Sequence, residues 1–473
     1  MHHDEANQAL RCKPLLSEGL YRYESFDHHG PTLYYLAAPL LLATCGRNFD
    51  DCTEIALRSV TALAGIAVML LLLPLRNVLG GTGLAAAMAC VALSPGLVYF
   101  SRFFIQEMIL VALTAGLLTA LWRYACLPSR RWAIAIGLAV GLMIATKETA
   151  VLTFAALILA AAATCQRSCW RRPTAHLLWA FATAVVVLGI FYTSFFSNWR
   201  GPVDLIAAIP IYLNRAGGGG HDHPWWWYFR PLTQHEWPIL LLALTGLIAA
   251  WQDRSDEPRA VFLRLVAVAA PLLLAFYSLI HYKTPWCVMS PLFLFTILAG
   301  HGFAILIRAA GAWRFFTVWP MMGAALMILG LTAWQLSLSP RVRSDAHNWY
   351  AYVETSSDLL NMLARIERLA SQHPQGRSLP VAVVSPGENI WPLPWYLRRY
   401  RQVGYWTSAA EVPGTFLPDL VIGSAEESEP VARRLGPDRH EKYYGLRPGV
   451  LILLYCRSAL WQQALDTTIT RKP

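Results

Sequence analysis

The chain has 473 residues, 56% of them hydrophobic and 14% charged, with a mean hydropathy of +0.39. Too few charges to cover a water-exposed surface, together with so large an apolar excess, exclude a soluble globular protein and indicate a polytopic membrane protein. The formal net charge of +10 lies mostly in short Arg-rich loops, so it reports topology and contact with anionic lipid, and a nucleic-acid partner is excluded.

Residues 1–54 read as an outer-face segment. It opens Met1–His2–His3–Asp4–Glu5 and reaches Phe26–Asp27–His28–His29–Gly30–Pro31–Thr32, where acid, imidazoles and a Gly-Pro turn stand directly against an apolar aromatic stretch. The apolar run from Pro31 to about Cys45 is short for a span, and counting it would invert every later loop. It is therefore read as an interfacial or re-entrant helix, followed by a net acidic exit. The same parity puts the first residues outside although no apolar segment precedes them, so a further transmembrane helix is expected upstream of Met1.

Ten apolar runs, each near the length a helix needs to cross hydrocarbon, follow at roughly 55–75, 81–98, 107–122, 132–146, 149–165, 176–196, 237–252, 261–280, 286–307 and 315–337. Arginines cluster in alternate loops, at Arg76, Arg123, Arg130 and Arg131, Arg167, Arg171 and Arg172, Arg254 and Arg259, and Arg308 and Arg314. The positive-inside rule makes those loops cytoplasmic. The clusters around Glu107, Lys147–Glu148, His221–His223 and Lys283 then all face outward, as does the tail from residue 339.

The 197–236 connection, with Gly217–Gly218–Gly219–Gly220 ahead of Trp225–Trp226–Trp227, reads as a mobile outer flap with an aromatic anchor. Nine cysteines without a CxxC argue against a disulfide framework or a zinc ribbon, and pairing of Cys45 with Cys52 is left open. From residue 339 to 473 the composition is that of an ordinary water-soluble α/β domain: an amphipathic helix over Asp345–Gln372, strands at Pro380–Ser385, Asp419–Gly423 and Val450–Cys456, and a short aromatic helix at Pro392–Tyr400. A nucleotide role there is unsupported, because a Gly-rich phosphate loop is missing.

The order of short motifs is distinctive: His3–Asp4–Glu5–Ala6, Tyr21–Arg22–Tyr23–Glu24, His29–Gly30–Pro31–Thr32–Leu33–Tyr34–Tyr35, Tyr99–Phe100–Ser101–Arg102–Phe103–Phe104, Ala145–Thr146–Lys147–Glu148, the tetraglycine with His221–Asp222–His223–Pro224–Trp225, Tyr282–Lys283–Thr284–Pro285–Trp286 and Trp391–Pro392–Leu393–Pro394–Trp395–Tyr396–Leu397–Arg398. In this order they resemble the flippase-activity-associated family of prokaryotic membrane proteins. That family is similar to the GT-C glycosyltransferases, whose relatives include the dolichyl-phosphate-mannose protein mannosyltransferases and the lipid A aminoarabinose transferases. The resemblance implies an inverting hexosyl-type transferase in the cytoplasmic membrane, taking a polyprenyl-phosphate sugar to a glycan, lipid or protein acceptor at the outer face.

Such a reaction needs a carboxylate to take the acceptor proton and cations to hold the leaving phosphate. By the family motif Asp4 is the candidate base and Glu5 its helper; a solvated acidic terminus is the plainer alternative. Glu107 is the second acid, paired with Arg102 or holding a divalent ion, although a helix N-terminus alone would favour its charge. Arg102, Lys147 and Lys283 are the candidate phosphate ligands. Set against that reading are an ion pair at a helix junction for Lys147 and a lysine snorkelling beside an aromatic belt for Lys283. His28, His29 and His281 are polar partners for phosphate or acceptor. The residues establish no cofactor; a divalent metal is left open, with His221, His223 and Glu107 as candidate ligands. Two other functions stay in view: a non-catalytic accessory of a glycan system, and a lipid flippase or transporter.

Overall fold

The computed structural model describes residues 1–25, 29–164, 174–339, 342, 345, 348–352 and 354–470; the candidate His28 lies outside the described residues. The chain divides into two compact units, Arg11–Arg343 and Met1–Leu10 with Ser344–Pro473. The first ten residues therefore group with the C-terminal part and not with residues 11–54.

In Arg11–Arg343 all ten apolar runs are helical: Glu54–Leu72, Arg76–Leu93 with the short Pro95–Phe100, Glu107–Cys126, Arg130–Ile144, Ala150–Thr164, Thr174–Tyr192, Trp237–Gln252, Pro258–Leu279, Met289–Ala309 and Val318–Leu338. Among the described residues six continuous helical stretches are long and apolar enough to cross a membrane, the first joining Glu54–Leu72 to Arg76–Leu93. Thr32–Cys45 is a helix of 14 residues, about 21 Å at 1.5 Å per residue and thus shorter than a hydrocarbon core of about 30 Å.

Burial within this unit sorts the helices. The stretch containing Met289–Ala309 is 89% buried, whereas Thr174–Tyr192 is only 11% buried, so the first is the hub and the second presents its apolar surface outward. A protein in water could not leave such a helix uncovered; lipid must cover it. This is a multi-pass membrane protein. The hub is approached closely because its contacts are glycines. A methyl group on Gly246 would lie 2.0 Å from the Leu298 carbonyl oxygen, one on Gly302 2.1 Å from that of Leu242, and one on Gly300 2.4 Å from that of Gly83. Two neighbouring helices thus touch the hub backbone to backbone, the small-residue packing that serves where hydrophobic driving force is absent.

A disulfide joins Cys45 to Cys52 across the exit of the Thr32–Cys45 helix. Thr53 then caps Glu54–Leu72 by accepting from the Ala56 amide at 3.2 Å. The 197–236 connection is not a plain loop: it holds helices Gly201–Ala216 and Phe229–His235 around the glycines.

The C-terminal unit contains one five-stranded mixed sheet. Its strands are β1 Val381–Val384, β2 Val403–Trp406, β3 Leu420–Ser424, β4 Arg439–Arg447 and β5 Val450–Arg457, in the spatial order β2-β1-β3-β5-β4. β2, β1 and β3 are parallel, while β5 is antiparallel to both β3 and β4. The helix expected over Asp345–Gln372 begins only at Ser357, where Ser356 accepts from the Asp358 amide at 3.1 Å and sets the start. Its Leu359, Met362, Ile366 and Leu369 face one side of the sheet together with Val381, Val383, Leu420 and Ile422. The other side holds a second, smaller apolar cluster around Val384, Val421, Val431 and Tyr455.

Candidate functional site

The His29–Thr32 turn is seated on the junction between helices Arg130–Ile144 and Ala150–Thr164. Thr32 donates twice to the Ala145 carbonyl oxygen, from its amide at 3.1 Å and its hydroxyl at 2.7 Å. That carbonyl closes the preceding helix and would otherwise lack a partner. Gly30 is required there, since a Cβ would stand 2.0 Å from the same oxygen. The seating carries His29 to Glu148, with His29 Nδ1 2.9 Å from Glu148 Oε2, and the His29 ring stacks on Tyr212 of helix Gly201–Ala216 at 6.3 Å between centroids.

Glu148 lies outside both flanking helices and keeps about a quarter of its side chain exposed, at 26%. Burial opposes its charge, but the His29 imidazole and then Lys147 outweigh it and hold the carboxyl down at about 2. On the other side of the junction Lys147 Nζ donates to Glu107 Oε1, both side chains being almost wholly buried. Lys147, and not Arg102, is thus the partner of Glu107. Cys287 is close enough to Lys147, Glu107 and Glu148 to feel all three, which brings the segment after Lys283 to the same place.

Lys283 is held differently. Its Nζ donates to the carbonyl oxygens of His223, at 2.9 Å, and Ile280. Among the described residues no carboxylate pairs with it. Carbonyls satisfy two N–H groups without cancelling the charge, and a buried uncancelled ammonium has a stabilising use for an anion. Burial pushes its pKa below the ordinary lysine value, with Asp222 pulling weakly the other way.

The 197–236 connection and the lysine segment are clasped by a two-strand bridge. Lys283 N donates to His221 O at 2.9 Å and His223 N to His281 O at 3.1 Å, around the pair Asp222 and Tyr282. Gly218, Gly219 and Gly220 all have positive φ, which turns the chain into this clasp. His221 packs edge-on against Tyr282, and His223 stacks on Trp227 with centroids 4.1 Å apart. Burial first, then His221 and Lys283, keep His223 below the usual histidine pKa. The His281 ring is exposed. Among the described residues no three His, Cys, Asp or Glu side chains are grouped to hold a metal, so Glu107, His221 and His223 do not assemble a site.

Arg102, partly buried, donates to the Ser337 carbonyl. The short helix Pro95–Phe100 that precedes it is anchored by a carboxylate the sequence reading overlooked. Glu236, fully buried, accepts from the Gly96 amide at 2.7 Å, 140 residues away. A Glu directly ahead of an apolar run with Pro238 at its start was the available signal.

Asp4 and Glu5 belong to the other unit, on helix His3–Leu10. Glu5 is buried and accepts from the His2 amide at 3.0 Å, so its carboxylate is spent on the helix start. The Asp4 carboxylate is partly exposed, 3.6 Å from His2 Nδ1, while His2 Nε2 stands 2.7 Å from the Tyr352 carbonyl oxygen. Trp391 stacks on His3 at 5.8 Å, and Tyr396 bonds the Met1 amino group, so the Trp391–Arg398 motif meets the N-terminal motif within one unit. Trp395 is fully buried and lies under the Arg398 guanidinium at 3.6 Å.

Residues 29–191 match the family model described as dolichyl-phosphate-mannose-protein mannosyltransferase. No curated protein sequence matches the chain. Among solved structures it is similar to ArnT from Cupriavidus metallidurans in the apo state, at 15% identity and a TM-score of 0.66, covering 96% of this chain and 94% of that one. The same protein bound to undecaprenyl phosphate matches at 15% identity and 0.66 over 97% and 94%. The oligosaccharyltransferase of Archaeoglobus fulgidus, in complex with zinc and sulfate, matches at 12% and 0.53, with 90% of this chain and 64% of that one covered. Likeness at such identities is one of fold. The chain has a GT-C-like membrane glycosyltransferase fold, and at that level the resemblance carried by its motifs is borne out.

Proposed function

We propose that the chain is a glycosyltransferase of the cytoplasmic membrane that moves a sugar from a polyprenyl phosphate to an acceptor hydroxyl on the extracytoplasmic side. The observation that carries this reading is the buried Lys283 ammonium, bonded to carbonyls and paired with no carboxylate among the described residues, close in sequence to Cys287 at the Glu107–Lys147 pair. The fold likeness to a protein solved with undecaprenyl phosphate supports it.

In this reading Lys283 receives the donor phosphate. Lys147, oriented and partly neutralised by Glu107, shares the charge that grows on the phosphate as its bond to the sugar breaks. Arg102 adds a further cation near the same segment, and His29 and His281 hydrogen-bond the phosphate or the acceptor. Asp4 is assigned the acceptor's proton on the pattern of its motif, with Glu5 fixing the start of its helix. The acceptor oxygen bonds the anomeric carbon, the carbon–phosphate-oxygen bond breaks with inversion, and the electron pair leaves on the prenyl phosphate.

The test compares cell-envelope glycans by mass spectrometry in a deletion strain and in the same strain complemented with wild type, Glu107→Gln or Lys283→Met. The expected result is a glycan, lipid or protein species lighter by one sugar unit in the deletion strain, restored by wild type alone. Full restoration by both variants would overturn the reading.

A further inference from the structure

The smaller apolar cluster of the C-terminal unit is not closed. Between the sheet and helix Ser428–Leu435 lies a cavity of about 330 Å³, floored by Val384 of β1 and Val421 of β3, walled by Val431, and rimmed by Arg434, Arg439 and Arg457. Its size falls at the lower end of small-molecule sites, and an aliphatic cavity offers water few partners.

Charge at the rim is unbalanced. Arg439 donates to the carbonyl oxygens of Pro418 and Asp419 at 2.9 and 3.0 Å, and Arg434 to that of Val412, contacts that position the guanidinium groups without neutralising them. The acids beside them are Asp419, 2.9 Å from Arg457 Nε and shared with His373 at 3.3 Å, and Asp438, which acts on Arg439. Three guanidinium groups therefore face two carboxylates, one of them shared with a histidine. Burial and the neighbouring Arg457 depress the pKa of Arg439, as expected where cations crowd without enough acid. Each guanidinium has five N–H donors, and the bonds described use one or two of them.

We propose that this cavity is a second binding site, for a small anion with a short apolar body such as an alkyl or acyl phosphate. The apolar part enters against Val384, Val421 and Val431, and the head is taken by the arginine forks, whose planar donors suit phosphate or carboxylate. The site lies wholly within the C-terminal unit and does not depend on the transferase reading.

The test uses the full chain in dodecyl maltoside and an octyl phosphate with a diazirine at its chain end, followed by photolabelling and peptide mapping. Saturable label on peptides covering residues 409–435 is expected, at least tenfold weaker with a diazirine octanol probe and with Arg434→Gln/Arg439→Gln. Val431→Phe, which fills the cavity and keeps every arginine, should abolish the label and decides the matter if the double variant does not fold. A diazirine phosphatidic acid in nanodiscs separates the sources: label there identifies a membrane lipid head, and label from the soluble probe alone identifies a free anion. Label confined to the helices of Arg11–Arg343, equal labelling by the octanol probe, or unchanged label in Val431→Phe would overturn the proposal.

Discussion

Lys147 and Glu107 stand 40 residues apart in sequence and share one buried ion pair at the start of helix Glu107–Cys126. Two charges withdrawn from water together are held by each other, so loss of either strands its partner. Glu107→Gln and Lys147→Met should each lose about 3–5 kcal/mol of stability, seen as a lower unfolding midpoint in detergent. The double variant Glu107→Gln/Lys147→Met should recover much of that midpoint yet stay without sugar transfer in reconstituted vesicles. Recovery of transfer along with stability would reduce the pair to a structural element.

Lys283 has the opposite character, a cation waiting for a partner. Lys283→Met should raise KM for the lipid-linked donor by roughly 10-fold to 100-fold, the worth of a charge-assisted hydrogen bond of about 1.5–3 kcal/mol. Its unfolding midpoint should hold or rise, because the variant removes a buried uncancelled charge. Steady-state kinetics with varied donor measures the first effect, and a large fall in midpoint would contradict this assignment.

Glu148 gives a pH signature. Its carboxyl is held at about 2 against an ordinary 4.5, so the folded state binds its proton less readily than the unfolded chain. The stability it contributes is fully present above about 4.5 and fades as pH falls from there through about 2. Unfolding midpoints measured from pH 5 to pH 2 should decline more steeply for wild type than for Glu148→Gln. Parallel curves would show that the contact with His29 is not coupled to folding.

Gly30 tests whether the seating of the turn matters for chemistry. Gly30→Ala drives a methyl into the Ala145 carbonyl and should shift His29 away from Glu148. Transfer should fall by at least tenfold. An Ala variant with full activity would mean that the His29–Glu148 contact is dispensable.

Cysteine chemistry checks the orientation. In intact cells a membrane-impermeant maleimide should reach Cys45, the less buried partner of the Cys45–Cys52 disulfide, only after reduction. Cys126, exposed at the far end of helix Glu107–Cys126, should react only with a permeant reagent. The reverse pattern would turn the proposed topology upside down.

Much of this was legible in the chain because apolar periodicity and length decide where lipid-embedded helices lie, and all ten runs are helical. Motif order carried the fold likeness. What escaped was mostly pairing across distance: the sequence offered Arg102, five residues before Glu107, as its partner, whereas helix packing supplies Lys147 from 40 residues away. Strand β4, Arg439–Arg447, was missed because an edge strand carries charges that mask its alternation, and β2, the other edge, because it is only half-buried, whereas the equally short central β1 is wholly apolar and buried. Helix Gly201–Ala216 was hidden by the glycines that follow it, although Val203, Ile206, Ile209 and Leu213 recur at helical spacing. The Cys45–Cys52 bridge stayed open because seven residues of separation permit contact without requiring it.

The helix bearing Asp4 is anchored by groups made some 350 residues later: Tyr352 and Thr355 bond His2 and Met1, and Trp391 stacks on His3. During synthesis that helix has no native surface to rest on until the sheet unit has been made and folded. The acid proposed to draw the acceptor's proton is thereby fixed only after the C-terminal segment has been made, and a chain halted after its membrane helices would leave the Asp4 helix without these anchors.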